Sequence, residues 1–172
     1  MISEQQFDWL QLKANPLAQL LSGLDAKIVL AESCTGGLVS ALISMIPGIS
    51  KYHCGSFATY RPASKRKWLG VRESIIHKHT CESENMAREM AACALRRTPE
   101  ASHSVSVVGH LGPHAPVNDG FFWIGMADIH TIDLQKPYMT HSFTGTCHEK
   151  GRVARQFEIA FKVIEVFTEH LE

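Results

Sequence analysis

The stretch from Lys27 to Met45 constrains the fold more than any other. Lys27-Ile28-Val29-Leu30 is a short apolar run that continues into Ala31-Glu32-Ser33-Cys34-Thr35-Gly36-Gly37. From Leu38 the apolar residues recur at helical spacing, with Leu38, Ala41, Leu42 and Met45 on one face, and Pro47-Gly48 stops the run. A strand, a tight turn and a helix start in that order form the building unit of an α/β domain. The turn carries two hydroxyls, a thiol and two glycines. Backbone N–H groups at a helix N-terminus attract anions, and glycine lets a ligand approach the backbone closely. A nucleophile here would sit beside ready-made donors for a developing oxyanion. The same residues equally suit a simple helix cap, with Ser33 or Thr35 satisfying the first N–H groups.

The remaining pattern extends this unit. Residues 3–23 read as a helix that Pro16 kinks or splits, and 52–60 as a strand in which Gly55 marks a bulge or a close approach. A short helical turn is expected over 63–69. Ser83 suits an N-cap for a helix whose inner face is Met86, Ala87, Met90, Ala91 and Ala94. Strands are expected over 104–109, 121–127 and 138–144. A final helix over 149–171 should turn Val153, Phe157, Ala160, Ile164, Phe167 and Leu171 inward. This alternation predicts a three-layer α/β/α sandwich around a mixed, mostly parallel sheet. Residues 1–172 are expected to form one domain, with 1–24 as a helical segment packed on it. Ligands in such sheets bind beyond the strand ends, where Ser33 and the 109–120 loop should both lie.

Composition excludes several classes. Seventeen basic and seventeen acidic residues leave no net charge to favour nucleic acid or an acidic membrane surface. The dense basic spot Lys65-Arg66-Lys67 reads by default as a solvated helix face. The five cysteines, Cys34, Cys54, Cys81, Cys93 and Cys147, form no CxxC pair and are odd in number, so neither a disulfide framework nor a zinc site is indicated. With no signal-like segment at Met1–Gln6 and no long apolar run, a cytoplasmic protein is expected.

The second unusual stretch is Thr59 to Val71. A serine needs a base to act as a nucleophile, and no histidine–carboxylate pair is marked locally. A lysine desolvated in a pocket can lose its proton and fill that role, so Ser33, Tyr60 and Lys65 would form a site if the two turns adjoin. Tyr60 would relay a proton or orient the lysine. Lys65 as an exposed basic residue is the plainer alternative. Cys34 should point away from Ser33 and serve packing. His110 and His114 are loop histidines that could act as ligands or do nothing special.

Taken in order, these segments resemble the CinA C-terminal domain family, the competence/damage-inducible proteins, whose stand-alone members include nicotinamide mononucleotide deamidases. Ala31 to Gly37 is similar to its signature. Ile46-Pro47-Gly48-Ile49-Ser50 resembles its proline–glycine–serine–serine turn, and Tyr60 to Val71 resembles its tyrosine-to-lysine stretch ending in glycine–valine. His79 to Ala87 is similar to its helix entry. The resemblance implies hydrolysis of the amide of nicotinamide mononucleotide by nucleophile Ser33 with Tyr60 and Lys65. It implies no metal or organic cofactor, and oligomers are common. Substrate contacts would fall on Cys34, Thr35, Gly36 and Gly37, whose N–H groups are the natural oxyanion donors, and on Gly109, His110, Gly112 and Arg152.

The chain departs from the family in three places. Val108-Gly109-His110-Leu111-Gly112-Pro113 replaces a run that begins with a hydroxyl residue, and the glycine-rich stretch after it is absent. Arg61, Pro62 and Ala63 stand where the family has serine, asparagine and glutamate. The late arginines match Arg152 or Arg155, with Lys150 also nearby. Three readings therefore stand: a nicotinamide mononucleotide deamidase, an amidohydrolase of another substrate, and a non-catalytic paralogue that binds a nucleotide or a protein.

Overall fold

The computed structural model describes residues 15–112, 119–129 and 140–172. Residues 3–14 of the expected first helix, the centre of the 109–120 loop with His114, and the start of the expected 138–144 strand lie outside them. The chain runs through α1 (Asn15–Gly23), β1 (Ile28–Glu32), α2 (Leu38–Ser44), a 3₁₀ turn at Ile49–Lys51 and β2 (His53–Ala58). Next come α3 (Pro62–Ser64), which continues as a π-helical turn over Lys65–Leu69, then α4 (Glu73–His79) and α5 (Glu84–Arg97). It ends with β3 (His103–Gly109), β4 (Phe121–Asp128), β5 (His141–Thr146) and α6 (Arg152–Leu171).

The strands form one mixed sheet in the order β2-β1-β3-β4-β5. β1 is parallel to both β2 and β3, whereas β3/β4 and β4/β5 are antiparallel. Parallel and antiparallel pairings are thus equal in number, where the sequence led us to expect a parallel majority. The difference lies in β4, which pairs antiparallel both with β3 and with β5. The expected irregularity at Gly55 is present: Ile28 faces His53 and Val29 faces Gly55, so Cys54 is the extra residue of a bulge.

Period-two alternation in β1 sorts the domain into two cores. Ile28 and Leu30 join α1, α2 and α6 on one face, and Val29 and Ala31 join α5 on the other. Ser83 caps α5 by accepting from the Met86 N–H, and Met86, Ala87, Met90, Ala91 and Ala94 are all fully buried as predicted. α5 lies so close on the sheet that a Cβ on Gly125 would come within 2.7 Å of the Arg88 nitrogen.

Three packing expectations change. The buried stripe of α2 is Val39, Leu42 and Ile43, continued by Ile46 just past its end, whereas Ala41 and Met45 are exposed. Two stripes of equal spacing overlap in this segment, and the one richer in β-branched residues packs. Val153 is 66% exposed, because the first turn of α6 projects past the sheet toward Tyr60. α4 was not expected at all. It has no fully buried residue, so it carries no apolar periodicity to read.

Candidate active site

The site forms where the carboxyl ends of β1 and β2 meet. Alternation continues past the end of β1. Glu32 falls on the α2 face with Ile28 and Leu30, Ser33 on the opposite face, and Cys34 back in the α2/α6 core. Gly36 and Gly37 have φ of 63° and 106°, a region that disfavours residues with a Cβ, and space above both is open.

Lys65 enters from the far side of the turn. Pro62 occupies the first turn of α3, where its missing N–H costs nothing. Ser64 secures the start of the helix by accepting from the Arg61 N–H and donating to the Arg61 carbonyl. The π turn that follows ends at Gly70, in left-handed conformation with φ of 87°. Such wide turns recur at functional sites because they swing a side chain off the regular helical path. Here the side chain is Lys65, which is 0% exposed. Its amine donates to the Thr59 carbonyl at 2.9 Å and lies 2.7 Å from Ser33 Oγ. Arg66 and Lys67 are exposed, so the basic cluster is split: two members are solvated and one is buried.

No carboxylate pairs with Lys65 among the described residues. Burial therefore dominates and pushes its pKa below the ordinary lysine value, with Cys81, Glu82 and Cys34 pulling weakly the other way. A neutral amine 2.7 Å from a serine hydroxyl accepts the hydroxyl proton, whereas a charged one donates to it. Cys34, 4% exposed, has its thiol pushed up to about 12 by burial, which keeps it protonated and suits a packing role.

Glu32 organises the turn. Its carboxylate, 1% exposed, accepts from Thr35 Oγ1 (2.7 Å) and from the N–H groups of Gly37 (2.9 Å), Val39 (3.1 Å) and Ser40 (2.9 Å), and from Ser56 Oγ (3.1 Å). It thus closes the N-terminus of α2, where a negative charge is favoured. Thr35 serves this network. Sequence reasoning missed Glu32, although a carboxylate in an otherwise apolar strand was the available signal.

The other predicted residues divide. The Tyr60 hydroxyl accepts from the Arg152 guanidinium, and the ring is 57% exposed. It makes no hydrogen bond with Lys65 or Ser33 among the described residues, and the Thr59 carbonyl performs the orienting expected of it. The two late arginines take different places. Arg152 holds Tyr60, whereas Arg155 pairs with Asp119 at 2.8 Å and donates to the Glu149 carbonyl at 3.0 Å. Gly112 lies against this Arg155–Asp119 pair. A Cβ on Gly109 would come within 2.8 Å of Phe122 Cβ, so its glycine serves strand pairing. The His110 ring packs edge-on against Trp123 at 6.3 Å. Gln156, also unforeseen, donates to the Cys34 carbonyl at 3.0 Å. Among the described residues no cluster of three His, Cys, Asp or Glu could hold a metal, and no helix is long and apolar enough to cross a membrane.

An α/β sandwich with a buried serine–lysine pair beyond adjacent parallel strands is the class these features define. The CinA C-terminal domain model matches residues 11–164, and the chain belongs to that family. A CinA-like protein of Desulforapulum autotrophicum is 41% identical over 97 residues, 56% of this chain and 23% of that protein. One from Thermotoga maritima is 32% identical over 129 residues, 75% of this chain and 31% of that protein. The chain thus spans about a quarter to a third of the length of these relatives. A competence damage-inducible protein A of Klebsiella pneumoniae has the same fold, with a TM-score of 0.84 at 20% identity over 94% of this chain and 96% of that one. A competence/damage inducible protein of Agrobacterium tumefaciens gives 0.82 at 24% identity over 94% of both chains.

Proposed function

We propose that the chain is an amidohydrolase that converts nicotinamide mononucleotide and water to nicotinate mononucleotide and ammonia. The observation that carries this reading is the Lys65 amine, fully buried with no carboxylate in ion-pair contact among the described residues and 2.7 Å from Ser33 Oγ. An uncompensated buried lysine destabilises a fold, and its depressed pKa suits a general base. In the proposed reaction the neutral Lys65 amine takes the Ser33 proton as Oγ attacks the carboxamide carbon. N–H groups of the signature turn stabilise the tetrahedral oxyanion. The lysine ammonium returns the proton to the departing nitrogen, ammonia leaves, and an ester forms on Ser33. Water, activated by the same amine, then hydrolyses the ester. No metal or organic cofactor takes part. The reading places the protein in the cytoplasm as a homo-oligomer, with Arg152 and Tyr60 at the mouth of the site.

The second reading is a non-catalytic paralogue that binds a nucleotide or a protein. It is favoured by the Arg155–Asp119 pair packed against Gly112, where a glycine-rich loop would otherwise leave backbone open to a ligand. Ammonia release from nicotinamide mononucleotide, lost in both Ser33→Ala and Lys65→Ala, supports the hydrolase. Folded protein that binds the nucleotide without turnover refutes it in favour of the second reading.

A further inference from the structure

The hydrogen bonds of the signature turn leave few backbone donors for chemistry. The Ser33 N–H donates to Val107 O (3.1 Å), Gly36 N–H to Ser33 O (3.1 Å) and Leu38 N–H to Thr35 O (3.2 Å). The N–H groups of Gly37, Val39 and Ser40 all go to Glu32. Among the described residues of the turn the Thr35 N–H has no protein acceptor and the Cys34 N–H meets only its own sulfur, so the four expected oxyanion donors reduce to these two.

Each of these two N–H groups has its direction set by the carbonyl across its own peptide plane, because N–H and C=O point oppositely in a trans peptide. The Ser33 carbonyl is held by Gly36 within the turn, so the turn aims the Cys34 N–H by itself. The Cys34 carbonyl is held by Gln156 Nε2 at 3.0 Å, from α6 near the far end of the chain. Among the described residues no hydrogen bond from within the turn reaches that carbonyl. We propose that Gln156 is a positioning residue that aims the Thr35 N–H at the oxyanion formed on Ser33. This rests on the hydrolase reading given above. The first two turns of α6 then serve the site in three ways, holding Tyr60 through Arg152, Asp119 through Arg155 and the oxyanion donor through Gln156.

The test compares Gln156→Met, which keeps length and loses the donor, with Gln156→Lys, which restores a donor. In Gln156→Met, kcat for ammonia release from nicotinamide mononucleotide should fall about 10- to 100-fold with KM within about twofold. The Thr35 amide resonance and its hydrogen-exchange rate should change as well. Gln156→Lys should recover both to within about fivefold of the parent. Should the Met variant fail to fold, Gln156→Glu has the same shape, sets a carboxylate against the Cys34 carbonyl and carries the same expectations. An unchanged kcat, or an unmoved Thr35 amide, overturns the proposal. If the parent protein releases no ammonia, it is the hydrolase reading that has failed. The amide measurement still decides the positioning claim: an amide that moves in Met and returns in Lys upholds it, and one that stays put refutes it.

Discussion

Replacing Glu32 by glutamine tests whether one buried carboxylate knits the signature turn. The carboxylate accepts five hydrogen bonds, three on Oε2 from Thr35, Gly37 and Val39 and two on Oε1 from Ser40 and Ser56. A carboxamide keeps one acceptor oxygen, best placed toward the three. Those bonds lose their charge assistance, at about 1 kcal/mol each. The amide NH₂ then faces Ser56, whose hydroxyl turns to accept, and the Ser40 N–H, which cannot; an unpaired buried donor costs about 2 kcal/mol. The amide is easier to bury than the carboxylate, which returns about 2 kcal/mol. The net destabilisation is about 3 kcal/mol, or a melting temperature lower by about 6–12 °C for a domain of this size. Urea and thermal unfolding at neutral pH measure it. Ser56→Ala, which removes one neutral donor, should cost only about 1 kcal/mol. A Glu32→Gln protein melting within about 2 °C of the parent would refute the assignment of Glu32 as the organiser of the turn.

Lys65→Met should abolish turnover, by about a thousandfold or more, yet leave stability within about 1 kcal/mol of the parent, because an apolar side chain replaces a buried uncompensated amine; paired activity and unfolding measurements separate the two effects. Activity should rise with pH to a plateau whose midpoint lies below the ordinary lysine value of 10.5, since burial lowers the Lys65 pKa. The linked stability effect has the same sign. Between the native pKa and 10.5 the unfolded chain holds the extra proton, so stability rises with pH across that window and the penalty is complete below it. A pH–rate profile inflecting near 10.5 would count against this. Gly125→Ala should cost about 3 kcal/mol in unfolding experiments, because its Cβ meets the α5 backbone at Ala87 and Arg88.

Much of the fold was legible because period-two and period-3.6 patterns are local. The β1–α2 unit, the Gly55 bulge, the Ser83 cap and the inner face of α5 all follow from residues close together in sequence. The α2 stripe failed for an equally local reason: two stripes of the same spacing overlap, and only the neighbours of the helix choose between them. At the site, the chemistry of the two turns raised a Ser33–Lys65 pair and the family resemblance favoured it over an exposed lysine, but the lysine's burial depends on a π turn that no spacing rule marks. Glu32 and Gln156 escaped notice because their roles lie in what they bind. Five donors converge on one carboxylate, and one carbonyl is reached from α6. The partner of Tyr60 was illegible for the same reason, since Arg152 lies toward the far end of the chain.

The mixed sheet also divides the labour of the domain. Ser33, Thr59 and Lys65 all follow β1 and β2 in its parallel half, as does the short departure at Arg61–Ala63, whereas the longest departure from the family follows β3 and leads into the antiparallel half. On the hydrolase reading, the serine–lysine pair and the altered segment after β3 therefore stand on separate halves of the sheet. Exchanging residues 110–120 for a relative's segment should change which amide is accepted and leave the Lys65–Ser33 geometry intact. If the hydrolase reading holds, a lineage explores new substrates by rewriting the residues between β3 and β4, without passing through an ancestor whose nucleophile has lost its base.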